Sequence, residues 1–210
     1  MNVLVLAPHP DDETIGCGGA LCKHADAGER VVAVFLTSGE LGLKTLPRDE
    51  AWKIRENEAR KAAKILGLKE VKFLHGPDWS VADESKRLAK ELRGILRSEC
   101  PELIYLPHLH EWHPDHKAAL RILRAAFHRS GLKVPALRGY EVWTPLAEHD
   151  HVEDITAVMS RKLRALRAHR SQLGEFDYLR AVRGLNEYRG ALTAKARFAE
   201  VFQSLNLKRA

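Results

Sequence analysis

Cysteine is scarce. The chain of 210 residues has three, Cys17, Cys22 and Cys100, an odd number without framework spacing. That argues against a disulfide-stapled scaffold and points to a reducing, cytoplasmic setting. Long apolar runs are missing too. The first one, Val3 to Ala7, is too short for a signal peptide or a membrane helix, and no basic leader precedes it. Internal repeats, low-complexity tracts and Gly/Ser-rich linkers are also lacking, so a single domain over residues 1–210 is expected.

What is present suits a folded globular protein. Hydrophobic residues make up 45% and charged residues 30%, enough to bury a sizeable core without staples. The formal net charge of +6 could draw nucleic acid, an acidic membrane or an anionic small molecule. The bases, however, are spread along helical segments, as in Arg60, Lys61 and Lys64 or Arg87, Lys90, Arg93 and Arg97, with acids between several of them. Solvated helix faces account for them, and neither a nucleic-acid partner nor membrane insertion is expected.

Four short apolar runs alternate with helix-like stretches. Val3 to Ala7, Val31 to Thr37, Val71 to Leu74 and Leu103 to Leu106 read as strands. Between them, Ala51 to Leu66 carries an apolar face and stops at Gly67. A second helix starts at Asp83 or Ser85 and ends before Pro101. Pro114 to Arg129 is a third. This rhythm predicts an α/β, Rossmann-like fold, a mainly parallel sheet with helices on both faces. Gly139 to Trp143 and Val152 to Ile155 are candidate further strands, and the third of the chain from about Thr156 reads as helix-rich.

Ligands in such sheets sit outside the carboxyl ends of the strands, and there the chain puts its densest chemistry. The first strand runs into Pro8-His9-Pro10-Asp11-Asp12-Glu13. Two adjacent carboxylates in a loop can divide roles, one binding a metal and the other lying beside the water. A helix N-cap explains one of these acids and leaves His9 and the other over. The glycines that follow, Gly16, Gly18 and Gly19, lack phosphate-loop spacing and follow two acids, so they read as close helix–sheet packing. The fourth strand runs into His108-Leu109-His110-Glu111-Trp112-His113-Pro114-Asp115-His116. His113 and His116 stand three apart at a helix start, with Pro114 in its first turn. With both loops side by side, His9, Asp12 and His116 form a two-histidine, one-carboxylate set with open positions, the pattern of catalytic zinc and also of non-haem iron(II). His108, His110 and His149-Asp150-His151 read as polar loop or rim, and Trp112 and Trp143 as core or rim packing, with stacking on a ligand ring as the alternative.

At these two loops the sequence resembles the LmbE-like, or PIG-L, family of sugar deacetylases, marked by His-Pro-Asp-Asp-Glu at His9 to Glu13 and His-x-x-His at His113 to His116. The likeness extends through Thr37-Ser38-Gly39-Glu40, Arg55-Glu56-Asn57-Glu58-Ala59, Tyr140 to Pro145, Asp154-Ile155-Thr156 and His169-Arg170-Ser171-Gln172. It implies a Zn2+ ion held by His9, Asp12 and His116, and removal of an N-acetyl group from an N-acetylglucosamine derivative. It further implies Asp11 as general base, His113 as the stabiliser of the oxyanion, protonated at that step, and Arg55 as a grip on sugar hydroxyls. Trimers or hexamers are implied as well. One position departs from the pattern: some members have a tyrosine where Glu111 stands.

Overall fold

The run Val3 to Ala7 ends up at the heart of the sheet, because it is buried on both faces: Val3, Val5 and Ala7 join one apolar cluster, Leu4 and Leu6 the other. A strand that must be apolar on both sides shows no polar alternation. The structure, a computed structural model, describes residues 1–174 and 176–207. The elements follow as β1 (Asn2–Ala7), α1 (Asp12–Asp26), β2 (Arg30–Thr37), α2 (Arg48–Leu66), β3 (Glu70–Gly76), α3 (Ser85–Glu99) and β4 (Leu103–Pro107). After these come α4 (Pro114–Phe127), β5 (Ala136–Tyr140), β6 (His151–Asp154), α5 (Met159–Leu166), α6 (Tyr178–Arg189) and β7 (Ala199–Ser204).

The strand order is β3-β2-β1-β4-β5-β7-β6. The first five are parallel, while β7 runs antiparallel to β5 and to β6. Helices α1, α2 and α5 cover one face through Leu21, Ala62, Leu66, Met159 and Leu166. Helices α3 and α4 cover the other through Leu88, Leu92, Ile122 and Leu123. The expected mainly parallel α/β sheet with helices on both faces is therefore what forms.

One reading needs correction: the fifth strand covers Ala136–Tyr140 rather than starting at Gly139. The helix-rich third carries α5 and α6 as expected and adds β7. Among the described residues no helix is long and apolar enough to cross a membrane.

The chain order reverses between β1 and β4, each side of which carries one of the two polar loops. That switch point opens a crevice. Helix α1 seats tightly against the sheet beside it: a Cβ on Gly16 would lie 2.2 Å from the Tyr140 ring, and one on Gly19 would lie 2.5 Å from Ile155. Cys17 and Cys22, on the same helix, are fully buried.

Candidate metal centre and active site

The loops after β1 and β4 meet as expected. The Asp12 Oδ2 atom lies 3.2 Å from His9 Nδ1 and 3.2 Å from His116 Nε2. All three side chains are almost wholly buried. Both ring nitrogens of His116 lack a hydrogen-bond partner, so its Nε2 faces Asp12 at close range without bonding it. Asp12 Oδ2 is hydrogen-bonded to His9 but not to His116, and three donors that converge with one of them unsatisfied fit a shared cation.

The donors' backs are engaged. His9 Nε2 meets Asp115 Oδ2 at 3.1 Å and Asp78 Oδ1 at 3.2 Å. His116 Nδ1 lies 3.5 Å from Glu111 Oε2. Such carboxylates fix ring orientation and raise the basicity of a ligating histidine. Glu111 is itself locked, since its Oε1 accepts the backbone N–H groups of Val142, Trp143 and Thr144 at 2.9, 3.0 and 3.2 Å.

The electrostatics call for positive charge. Burial alone would push His9 and His116 down, yet the surrounding carboxylates hold His9 well above the usual range and His116 up at about 9. For Asp12, burial works upward but is outweighed by His116 and His9, which hold the carboxyl far below its ordinary value. A cluster that gathers protons at neutral pH in this way is also one that a divalent cation would satisfy.

Asp11 points elsewhere. It stands at the N-cap position of α1, but its side chain makes no capping bond, and its φ of 124° is a conformation L residues rarely adopt. Two neighbours hold it there. Its N–H donates to Glu13 Oε2 at 3.0 Å, and Arg55 Nη2 donates to its Oδ2 at 3.1 Å. Glu13 is fixed in turn by the Thr14 hydroxyl at 2.6 Å and lies 3.4 Å from His169 Nε2. Burial lifts the Asp11 carboxyl to about 6, with Arg55 pulling it down and Asp12 adding to the lift.

Arg55 lines the cavity beside Asp11 and is already heavily engaged. Besides Asp11, it donates to the carbonyls of Pro10 and of Gly39, and it is 4% exposed. Its Nε alone lacks a partner. The side chain lies against the Asp11 carboxylate rather than reaching into solvent.

His113 is the N-cap of α4, where its Nδ1 accepts the Asp115 N–H at 3.2 Å. That bond leaves the ring's proton on Nε2. Burial, then the charges of His9 and His116, push His113 down to about 4. The ring of the resting protein is therefore neutral at neutral pH. Its donor atoms lie close to those of His9 and His116.

These residues floor a cavity of about 420 Å³ lined by Asp11, Asp12, His9 and His113 and walled by Trp79, Trp112 and Trp143, a volume suited to a small ligand. His108 is not a loop ornament: it is buried, donating to the Thr144 carbonyl at 2.7 Å. His151 begins β6 and pairs with Glu153, away from the cavity. Sequence reasoning did not single out Asp78 or Trp79, and it named His169 only within the family likeness, without a role. Asp78 and Trp79 follow β3, so the same rule that located the other two loops could have drawn attention to them.

Comparison with known proteins adds the following. The model of the family described as PIG-L: GlcNAc-PI de-N-acetylase matches residues 4–127. The diacetylchitobiose deacetylase of Thermococcus kodakarensis is 33% identical over 194 residues, 83% of this chain and 71% of that one. Among solved structures, the N,N′-diacetylchitobiose deacetylase of Pyrococcus horikoshii superposes with a TM-score of 0.82 at 28% identity, over 98% of this chain and 84% of the other. The 4-carboxy-2-hydroxymuconate hydratase of Pseudomonas putida gives 0.78 at 25% identity, over 98% of this chain and 97% of the other.

Proposed function

This chain belongs to the PIG-L family, and from that premise we propose that it hydrolyses the N-acetyl group of an N-acetylglucosamine derivative, with zinc held by His9, Asp12 and His116. The observation that carries the reading is the convergence of His9 Nδ1 and His116 Nε2 on Asp12 Oδ2, each at 3.2 Å, beside an uncapped, buried Asp11. The hydratase neighbour means that the scaffold alone does not select an amide. The deacetylase relatives, one of them 33% identical, favour it over an iron(II) oxygenase or a nucleic-acid-binding domain. One domain, a cytoplasmic setting and a trimeric or hexameric assembly complete the proposal.

A zinc ion bound there supplies Lewis acidity toward the acetyl carbonyl and lowers the pKa of water. The rest falls to the chain. Asp11, lifted to about 6, is ionised at neutral pH yet basic enough to take the proton of the attacking water. Arg55 and Glu13 keep its carboxylate aimed while the backbone sits in a costly conformation. His113 presents Nε2–H to the developing oxyanion as a neutral donor, a contribution of about 3–4 kcal/mol when such a donor is well placed. A neutral imidazole is a poor acid, so the proton on Asp11 is the one returned to the departing amine. Glu111, bound by three backbone N–H groups, has no part in that transfer; it holds His116.

The test is an amine-release screen of N-acetylated sugars with zinc-loaded protein. Release from N-acetylglucosamine compounds is expected. Absence of release from every acetamido sugar, with zinc bound, would remove the assignment.

A further inference from the structure

Five aromatic side chains stand around the mouth of the cavity in an unbroken arc. Ring centroids are 6.3 Å apart from Trp79 to Trp112, 6.0 Å from Trp112 to Trp143, and 5.9 and 5.8 Å from Trp143 to Phe176 and Tyr178. Trp79, Trp112 and Phe176 are each 51% exposed and Trp143 is 36% exposed. All five line the same cavity as His9, Asp12 and His113. Large apolar rings left half in water next to one another mark a contact surface. Here that surface is continuous with the site floor, so a ligand longer than the floor can extend onto the rings.

One end of the arc is built into the metal shell. Trp79 has a φ of 70°, which a bulky residue adopts only when held. Its N–H donates to Asp115 Oδ2 at 2.7 Å, and the other Asp115 oxygen accepts the Val81 N–H at 3.2 Å. The same carboxylate meets His9 at 3.1 Å. The Trp79 ring lies 4.5 Å from that of His113. A tryptophan fixed in a strained backbone, beside the catalytic imidazole, is pre-positioned for a ligand rather than for packing.

The charge of the rim narrows the ligand. The cationic side chains lining the cavity are Lys44 and Arg55, and Arg55 is committed to Asp11, Pro10 and Gly39. An anionic group at the mouth would meet one exposed lysine. A pyranose ring, with apolar C–H faces for stacking and hydroxyls for a polar neighbour such as Gln172, matches better what the rim offers.

We propose that Trp79, Trp112, Trp143, Phe176 and Tyr178 form a stacking subsite for an uncharged second sugar ring attached to the residue that is deacetylated. The inference rests on the proposed deacetylase reading and makes oligosaccharides, rather than monosaccharides or acidic glycosides, the preferred substrates.

The experiment compares N,N′-diacetylchitobiose with N-acetylglucosamine, as kcat/KM for amine release and as binding read by tryptophan fluorescence. Wild type should favour the disaccharide by roughly 10-fold or more, the scale of a well-placed aromatic contact. Trp112→Ala and Trp143→Ala should each bring the disaccharide-to-monosaccharide ratio toward one, and Trp112→Tyr, which keeps a ring, should restore most of it. Equal losses on both sugars, or a ratio unmoved by either alanine, overturn the subsite. The two readings separate cleanly. Tighter disaccharide binding that depends on Trp112, without amine release from either sugar, sinks the deacetylase assignment and leaves the subsite standing. Amine release without a disaccharide preference does the reverse.

Discussion

Replacing Arg55 by methionine keeps an unbranched apolar stem and removes the guanidinium with its charge, and the structure says what should follow. Arg55 Nη2 sits 3.1 Å from Asp11 Oδ2, with both side chains buried. Burial is the largest influence on Asp11 and raises it; Arg55 is the first influence that lowers it, and the net position is about 6. An opposite charge at such range typically depresses a carboxylate by roughly 1–3 pH units. The base must be ionised to act, so the acid limb of the kcat/KM profile should move to higher pH in Arg55→Met by about that amount. At pH 7 the ionised fraction would fall from about nine-tenths to between roughly a half and a hundredth, a 2- to 100-fold loss. A bound cation lowers both curves alike, so the displacement between wild type and variant is the quantity to read. The assay is a kcat/KM profile for both proteins on a sugar and on a simple N-acetyl compound, with zinc content measured alongside. Arg55→Lys should shift the limb less. A limb that does not move, with loss confined to KM for the sugar, would refute the reasoning and return Arg55 to the role of a hydroxyl grip.

Three further outcomes follow from the geometry. Asp11→Asn should keep its zinc, because the other three side chains supply the donors, while kcat falls by roughly 10²–10⁴; loss of zinc by metal analysis would show that Asp11 and Asp12 have exchanged roles. Glu111→Gln retains an oxygen for the three backbone N–H groups but removes the negative charge that lies 3.5 Å from His116 Nδ1, so zinc affinity in a chelator competition should drop about 10- to 100-fold; unchanged affinity would detach Glu111 from the proposed metal shell. Gly16→Ala puts a Cβ within 2.2 Å of the Tyr140 ring, which should cost about 1–3 kcal/mol and lower Tm by roughly 2–4 °C for each of them; an unaltered melting curve would mean the α1–β5 contact is looser than it looks.

The parallel half of the sheet was legible because strands buried on both faces leave continuous apolar runs, and β1, β2 and β4 are such strands. The two loops of the candidate metal site were legible because position is informative in this architecture: histidines and carboxylates directly after a parallel strand lie at the edge where such sheets bind ligands. β7 escaped because Ala199–Ser204 lies in a helix-dominated segment and is short, and its pairing is antiparallel to distant strands, which no local pattern announces. β6, with its sequence His151-Val152-Glu153-Asp154, is half-buried and mostly polar, yet its neighbourhood was marked by the run from Val152 to Ile155. Asp78 and Trp79 follow the amphipathic β3, whose core signal is weak, and their meaning appears only when β3, β1 and β4 bring Asp78, His9 and Asp115 to one point. Arg55 shows the limit of reading residues singly. Its place near the site was visible in the sequence, but its partner was not, since the contact with Asp11 spans 44 residues.

Zinc dependence of amine release is the most direct check on the central claim. Protein stripped by chelation and titrated with zinc should regain amine release from an N-acetylglucosamine substrate in proportion to metal, reaching its plateau near one zinc per chain as three protein ligands with open positions imply. His116→Ala, treated identically, should stay folded by circular dichroism and regain nothing. Full activity of the wild-type protein after exhaustive chelation, or equal recovery by His116→Ala, would contradict the account.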